Sequence, residues 1–333
     1  MSEAKHIAIV GATGAVGEEM RICLEQRNFP VKSLTLLASA RSAGKRVTFA
    51  GNEIEVKELT HDSFNGIDIA LFSAGGGISQ EFAPSAAQAG CMVIDNSSAF
   101  RMEEGVPLVV PEINAAAARN APRNIIANPN CSTIITLMGL APLHEKFGLK
   151  SIIASTYQAV SGSGAQGIVE LEEQMAALAN GREVTPRVYQ RQIAFNVIPE
   201  VDSFTDSGYT KEELKMLNEG RKILDLPDLR VSCTCVRVPV YRSHSISVTA
   251  QFREPVDVAS ARAAFEGKPG IIVTDDPAKR IYPVPLDTTG EDDCQVGRIR
   301  KNTVFENALD LWVVGDQVRK GAALNAVQIA ELL

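Results

Sequence analysis

Three glycines near the amino terminus constrain the fold of this chain more than any other feature. The preceding run Lys5–Val10 has the continuous apolar character of a strand buried in a parallel sheet. Gly11, Gly14 and Gly17 follow at once, and an amphipathic helix is predicted over residues 18–27. Glycines between a strand and a helix let the backbone approach a pyrophosphate at the helix amino terminus. The pattern predicts a dinucleotide site; the alternative is a glycine-rich turn without a ligand.

Strands and helices continue to alternate through the first 130 residues of the chain. This alternation predicts an α/β fold with a doubly wound parallel sheet of the Rossmann type. The predicted segments are strands at 34–38, 68–72, 92–95 and 125–127, and a helix at 79–89.

The character of the sequence changes after residue 131, where a second α+β domain with a mostly antiparallel sheet is predicted. The apolar tail at 309–333 has helical spacing, and we expect it to return to the first domain. The expected domains are residues 1–130 with 314–333, and residues 131–313. The segments of the second domain are strands at 151–160, 230–240 and 243–253, and helices at 164–180, 210–224 and 257–266.

Composition excludes several classes of protein. The 333 residues carry a net charge of −7, which argues against a nucleic-acid-binding surface. Apolar runs are short and broken, and no secretory leader is recognised, so neither a membrane span nor secretion is expected. The six scattered cysteines then indicate a reduced, cytoplasmic setting.

The residues after the second predicted strand favour NADP as the cofactor. An NAD-binding domain usually places an acid there for the ribose hydroxyls, but the stretch 38–45 contains none. Arg41 and Ser42 are placed to hold a 2′-phosphate; the alternative is a solvated basic loop.

Cys131 is the candidate nucleophile. Pro129 disfavours helix just before it, and Ser132, Thr133 and the apolar run that follows predict a helix that opens near the cysteine. The positive end of a helix dipole favours the thiolate form of a cysteine. A thiolate beside a nicotinamide cofactor indicates aldehyde chemistry through a thioester.

Such chemistry needs an acid/base group and an anion clamp. His244 lies in a predicted strand, and on alternation alone it is either a core histidine or a catalyst. Arg237, seven residues earlier, sits in an apolar strand and needs a partner. That partner is either a substrate carboxylate or a structural salt bridge. Cys233 and Cys235 share a strand face, and core packing is expected there rather than a metal site.

Gln158 ends a β-rich run and precedes a second glycine-rich loop that includes Ser161 and Gly162. The loop is either a tip near the nicotinamide or a simple turn. Glu212 and Lys215 belong to the charged stretch 211–215. From its residues alone, this stretch is either an exposed helix face or part of the site.

Together, these segments resemble the bacterial, NADP-dependent aspartate-β-semialdehyde dehydrogenase family along the whole chain. The matching segments are 11–17, 38–45, 95–101, 128–133, 155–164, Arg237 with His244, 314–317 and 320–323. The resemblance implies a cofactor-binding first domain, a catalytic and dimerisation second domain, and a homodimer or homotetramer. It implies no metal.

The resemblance also implies a role for each matching residue. Cys131 is the expected nucleophile, His244 the acid/base catalyst and Gln158 the residue that orients the substrate. Arg237 is the expected clamp on the substrate carboxylate, and Glu212 the partner of its amino group. The expected phosphate site is Arg101 with Lys215. The expected NADP contacts are Gly11, Thr13, Gly14, Ala15, Val16, Arg41, Ser42, Ser161, Gly162 and Gln317.

The implied reaction is the reductive dephosphorylation of 4-aspartyl phosphate to aspartate 4-semialdehyde, with release of inorganic phosphate. Its product leads to lysine and diaminopimelate, threonine, methionine and isoleucine. One alternative is N-acetyl-glutamyl-phosphate reductase, whose acylated substrate offers no ammonium group to Glu212. The other is a non-catalytic relative, which ought to lack Cys131, Gln158 or His244, whereas all three are present.

Overall fold

The computed structural model describes residues 3–333, and the chain divides into two compact units. The first unit runs to Asn130 and resumes at Ala322–Leu333, and the second unit is Cys131–Gly321. The sequence placed this return at residue 314, eight residues too early. Val314 and Gly315 instead complete a strand of the second unit.

In chain order, the strands are β1 (Lys5–Val10), β2 (Val31–Ala38), β3 (Arg46–Phe49), β4 (Asn52–Glu58), β5 (Ile69–Phe72), β6 (Met92–Asp95), β7 (Ile125–Ala127), β8 (Leu149–Gln158), β9 (Arg230–Arg237), β10 (His244–Phe252), β11 (Ile271–Val273), β12 (Cys294–Lys301) and β13 (Ala308–Gly315). The helices are α1 (Ala15–Gln26), α2 (Gly76–Gln88), α3 (Pro111–Asn114), α4 (Cys131–Phe147), α5 (Ala165–Ala179), α6 (Lys211–Leu224), α7 (Val258–Ala264), α8 (Pro285–Thr288) and α9 (Leu324–Ala330). Within residues 3–333, no helix is long and apolar enough to cross a membrane.

The first unit is a sheet with strand order β3-β4-β2-β1-β5-β6-β7. All neighbouring strands are parallel except the edge pair β3–β4. The doubly wound parallel sheet is therefore confirmed. The sequence missed the β3–β4 hairpin, which turns through Ala50 and Gly51, both with positive φ. Both strands are mostly exposed and carry charged residues, so they lack the apolar pattern by which a strand is recognised in a sequence.

The second unit is a mixed sheet with strand order β11-β12-β13-β10-β8-β9. Three neighbouring pairs are antiparallel, and the outermost pairs β11–β12 and β8–β9 are parallel, which confirms the mostly antiparallel prediction. The helical prediction for the start of the tail was wrong. Residues 308–315 form β13, where buried Leu309, Leu311 and Val313 alternate with Asp310 and Trp312 at the period of a strand.

The register of the second sheet brings distant residues to one edge. Gln158 and Arg237 face each other at the carboxyl ends of the parallel strands β8 and β9. His244 is the first residue of β10, which runs antiparallel to β8, so it lies at the same edge. Three residues separated by up to 86 positions in sequence thereby become neighbours.

Gly17 allows α1 to pack against the loop that precedes it. A Cβ on Gly17 would lie 2.3 Å from the carbonyl oxygen of Gly11, whereas a Cβ on Gly14 would meet nothing closer than 3.4 Å. We therefore expect Gly17→Ala to lower the free energy of unfolding by about 1–3 kcal/mol, because the backbone must shift. Urea denaturation measures this loss, with Gly14→Ala as the matched control. Equal stability of the two variants would contradict the prediction.

Candidate active site

Cys131 is the first residue of α4, as the sequence predicted, and its side chain is half-buried. The helix behind it is buried along most of its length, which fixes the position of its amino terminus. A Cβ on Gly321 would lie 2.8 Å from the Cβ of Cys131 and 3.4 Å from that of Gln317. The contact with Cys131 is too short for a Cβ, so glycine at position 321 allows the chain to pass this close to Cys131.

His244 is completely buried and is not a fully satisfied core histidine. Its Nδ1 accepts a hydrogen bond of 3.1 Å from the backbone N–H of Ala159, while its buried Nε2 has no hydrogen-bond partner. Burial, together with the positive charge of Arg237, holds the pKa of His244 well below its usual range. Both effects favour the neutral imidazole over the protonated form.

Arg237 is buried and forms no salt bridge with any acid in residues 3–333. Its Nη1 donates a hydrogen bond of 2.7 Å to the carbonyl oxygen of Ala159, and its guanidinium lies 6.0 Å from the ring centre of Tyr189. A buried cation without an anionic neighbour needs one from outside the chain. The salt-bridge alternative is thus excluded within the described residues.

The backbone of Gly162 packs closely against both of these groups. A Cβ at this position would lie 2.7 Å from Nη1 of Arg237 and 3.4 Å from Nε2 of His244. Ser161 and Gly162 belong to a short helical turn, Val160–Ser163, that follows β8. Glycine at position 162 therefore lets this turn lie against the guanidinium and the imidazole, where a Cβ would displace Nη1 of Arg237.

Gln317 connects the glycine-rich turn to the strand that carries His244. Its amide nitrogen donates to the hydroxyl of Ser161, and its amide oxygen accepts a hydrogen bond of 2.7 Å from the backbone N–H of Ser243. Gln317 also lies beside Gly321 and hence beside Cys131. The second unit therefore assembles Cys131, Gln317, Ser161 and His244 around one centre.

Gln158 is buried, and its amide is oriented by two neighbours. Thr156 donates a hydrogen bond of 3.0 Å to Oε1, and Nε2 of Gln158 donates one of 3.1 Å to Glu212. Glu212 is itself buried and contacts Lys215 at 2.8 Å. Residues 211–215 therefore do not form a simple exposed helix face, because Glu212 points toward the sheet edge that carries Gln158.

Lys215 lies between two carboxylates, those of Glu212 and Asp202, the latter at 3.0 Å. Burial alone would lower the pKa of Lys215, but Glu212 and Asp202 outweigh it and raise the pKa above its usual value. The sequence missed Asp202, which adopts a left-handed φ of 68° in a loop before α6. Neither the left-handed conformation of Asp202 nor its ion pair with Lys215 can be recognised from the neighbouring sequence.

The first unit holds the predicted dinucleotide loop. A cavity of about 530 Å³ lies at the carboxyl ends of β1, β2 and β4, and no side chain caps the start of α1. Thr13 lies on its wall and donates a hydrogen bond of 3.4 Å to Ser42, while the side chain of Arg41 is exposed. The cavity wall also includes Gly11, Gly14, Ala38, Ser39, Ala40, Glu58, Leu59, Ser73, Ala74, Ile78, Glu81 and Phe82. Backbone and small side chains at a helix amino terminus fit a pyrophosphate.

Arg101 also belongs to the first unit, where its guanidinium is buried. It donates hydrogen bonds of 2.9 and 2.8 Å to the carbonyl oxygens of Asn128 and Asn96. These bonds hold the guanidinium in place just upstream of the segment that leads to Cys131.

The remaining cysteines fit the core-packing prediction. The sulfur atoms of Cys233 and Cys235 lie 3.7 Å apart in the core, and contact with Cys233 together with burial raises the pKa of Cys235. Across residues 3–333, no group of three or more histidine, cysteine or acidic side chains is arranged to hold a metal ion.

Two family descriptions match the chain. "Semialdehyde dehydrogenase, NAD binding domain" matches residues 6–121, and "Semialdehyde dehydrogenase, dimerisation domain" matches residues 140–320. The aspartate-semialdehyde dehydrogenase of Bacillus subtilis is 50% identical over 100% of this chain and 98% of its own length. That of Aquifex aeolicus is 52% identical over 98% of this chain and 97% of its own length.

Solved structures agree. A crystal structure of aspartate semialdehyde dehydrogenase II complexed with ASA from Vibrio cholerae superposes with a TM-score of 0.97 at 47% identity, covering 100% of this chain and 98% of that one. The enzyme from Candida albicans, solved with NADP, gives a TM-score of 0.78 at 25% identity over 99% of this chain and 98% of that one. The chain therefore belongs to the aspartate-semialdehyde dehydrogenase family of NAD(P)-dependent oxidoreductases.

Proposed function

We propose that the protein reduces 4-aspartyl phosphate to aspartate 4-semialdehyde with NADPH and releases inorganic phosphate. The observation that carries the proposal is the pair Arg237 and His244, both buried beside Gly162: the arginine has no carboxylate partner within residues 3–333, and Nε2 of the histidine has no hydrogen-bond partner. The same unit bears Cys131 at the start of α4. An anion clamp, a neutral imidazole and a nucleophile at a helix amino terminus suit a small acidic carbonyl substrate.

Cys131 attacks the acyl carbon of the substrate and expels phosphate, which leaves a thioester on its sulfur. Gln158, oriented by Thr156, positions the carbonyl group for this attack. Arg237 binds the α-carboxylate, and Glu212 accepts the substrate ammonium group. The leaving phosphate is held by Arg101 and Lys215. The nicotinamide cofactor supplies the hydride that reduces the thioester carbon.

Assays with two substrates test the assignment. We expect phosphate-dependent reduction of NADP with aspartate 4-semialdehyde, the reverse of the proposed reaction. N-acetylglutamate semialdehyde is expected to be inactive, because it has no ammonium group for Glu212. Activity with the acetylated compound alone would establish the rival reductase instead, and activity with neither would support a non-catalytic relative.

We propose NADP rather than NAD as the physiological cofactor, with contacts from Gly11, Thr13, Gly14, Ala15, Val16, Arg41, Ser42, Ser161, Gly162 and Gln317. Arg41 is exposed just after β2, next to Ser42, which Thr13 contacts. The absence of an acid after β2 favours a 2′-phosphate over a free ribose hydroxyl.

Replacement of Arg41 by alanine should weaken NADPH binding selectively. We expect KM for NADPH to rise by about 10- to 100-fold, because a charge-assisted contact to the 2′-phosphate is lost. KM for NADH should stay within about twofold, since NADH lacks that phosphate. Steady-state kinetics with both cofactors measure the difference. A better kcat/KM with NADH than with NADPH in the unmodified protein would contradict the proposal.

The outer face of the second sheet supports a homodimer. Ile153 and Tyr157 are exposed on β8, and the ring of Tyr157 lies 5.5 Å from that of Trp312 on β13. A row of apolar and aromatic side chains on a sheet face is typical of a subunit interface. Analytical ultracentrifugation distinguishes the dimer from a tetramer. We place the enzyme in the cytoplasm, where its free cysteines remain reduced.

A further inference from the structure

Three asparagine side chains form a continuous network of amide hydrogen bonds within the first unit. Nδ2 of Asn96 donates to the carbonyl oxygen of Phe72 at 3.1 Å, and Oδ1 of Asn96 accepts from Nδ2 of Asn128. Oδ1 of Asn128 accepts from Nδ2 of Asn325 at 2.6 Å, and Asn325 also donates to the carbonyl oxygen of Val109 at 3.0 Å. This amide network therefore connects the last residue of β5 to helix α9.

Backbone carbonyl groups at both ends fix the direction of the amide network. A carbonyl oxygen only accepts hydrogen bonds, so Phe72 and Val109 each require an N–H donor. The NH₂ group of Asn325 donates twice, to Val109 and to Asn128. Asn128 and Asn325 are buried, where an amide without partners is costly. The network therefore depends on the asparagine amides, because an aspartate of the same shape would bring oxygen against oxygen.

The backbone of two of these asparagines holds the guanidinium of Arg101. Its Nε donates to the carbonyl oxygen of Asn128 at 2.9 Å, and its Nη2 donates to that of Asn96 at 2.8 Å. The side chain of each asparagine thus belongs to the amide network, while its backbone oxygen orients the arginine. A shift of either asparagine therefore moves an acceptor of the guanidinium.

We propose that the amide network positions Arg101 for phosphate, so that Asn325 on α9 influences the affinity of the phosphate site. The inference rests on the proposed function, which assigns phosphate to Arg101. Asn325 is a positioning residue, because it acts on the guanidinium through Asn128. A purely structural network would fasten α9 to the sheet without any effect on phosphate.

Removal of the Asn325 amide tests the proposal in the phosphate-dependent oxidation of aspartate 4-semialdehyde. Asn325→Ala should raise KM for inorganic phosphate about 3- to 10-fold, the effect of a hydrogen-bonding partner that is held less well. KM for the semialdehyde should stay within about twofold, because Arg237 and Cys131 belong to the other unit. An unchanged KM for phosphate would overturn the proposal. Asn325→Ser keeps a hydroxyl donor, so it should fold more stably and show a smaller rise in the same assay.

Gln328→Ala is the matched control on α9. Gln328 donates its side-chain amide to Glu112 at 2.9 Å and is not part of the amide network. This variant should leave KM for phosphate within about twofold, since it loses an amide of the same helix without moving Asn128. An equal rise in both variants would show a general loosening of α9 and would overturn the proposal.

NMR of the full chain labelled with ¹⁵N-arginine follows the guanidinium without any turnover. Arg101→Lys identifies the Nε–H signal of Arg101 by its loss. We expect Asn325→Ala or Asn325→Ser to shift or broaden this signal, because its acceptor belongs to Asn128. Gln328→Ala should leave the signal in place. A signal that is unchanged in both Asn325 variants would overturn the proposal.

The kinetics of Arg101→Lys separate failure of this inference from failure of the proposed function. The variant should raise KM for phosphate about 10- to 100-fold, because lysine lacks the planar fork of the guanidinium. A rise in this variant without one in Asn325→Ala would overturn the inference alone. No rise in either variant would refute the phosphate site of the proposed function, and the inference with it.

Discussion

Replacing Cys131 by alanine should reduce phosphate-dependent turnover by about 10⁴-fold or more, the scale seen when a catalytic nucleophile is removed. Cys131 begins α4, where the helix dipole favours a thiolate, and a methyl group cannot form the thioester. Steady-state assays and circular dichroism together measure the loss, since the fold should be unchanged. Retention of most of the turnover would refute the thioester mechanism.

Cys91 provides the matched control for this variant. It is completely buried in the first unit, and burial, followed by the nearby Asp68, raises the pKa of its thiol to about 12. At neutral pH it stays protonated and unreactive. Iodoacetamide should therefore inactivate the enzyme by alkylating Cys131 and leave Cys91 untouched, and Cys91→Ala should retain turnover. Preferential alkylation of Cys91, read by mass spectrometry, would contradict this ordering of reactivity.

Replacing Arg237 should produce the second large effect. Arg237→Ala removes the buried guanidinium that we propose binds the substrate carboxylate, and kcat/KM should fall on the order of 10²- to 10³-fold. Arg237→Lys keeps the charge but loses the planar, bidentate geometry, so it should recover only part of the loss. The effect should fall mainly on KM for the semialdehyde, because a carboxylate contact is made in the ground state as well.

Arg230 is the control on the same strand. It lies at the exposed opposite end of β9, and Arg230→Lys should leave both kinetic constants within about twofold. An unchanged KM in Arg237→Ala would show that the substrate carboxylate binds elsewhere. In that case, the guanidinium would serve mainly to hold Ala159 and Tyr189 in place.

Features with strong local signals were predictable from the sequence. The glycine loop after β1 and the helix that opens at Cys131 need only a few consecutive residues to be recognised. The β3–β4 hairpin and β13 were missed for physical reasons. The hairpin lies at an exposed edge of the sheet and carries charged residues. In β13, so many residues are apolar that the sequence fits the period of a helix as well as that of a strand.

The individual contacts of the site were not predictable in the same way. Thr156, Ala159 and Asp202 act on Gln158, His244 and Lys215 through hydrogen bonds that only the register of β8 and the loop before α6 create. Ala159 acts through its backbone amide, and Asp202 depends on an unusual φ. Neither feature can be recognised from the identity of the side chain. The reactive residues could be identified from sequence motifs, whereas the residues that orient them could be identified only from the structure.

The return of the chain to its first unit has a consequence for biosynthesis. Leu324, Val327 and Ile329 of α9 belong to the same buried cluster as Met20 and Leu24 of α1. The residues that complete this core thus leave the ribosome about 300 residues after α1. The inserted unit Cys131–Gly321 is synthesised whole before that point, so it has the opportunity to fold first. A polypeptide truncated before Ala322 should therefore keep the second sheet while the nucleotide-binding half remains incompletely packed.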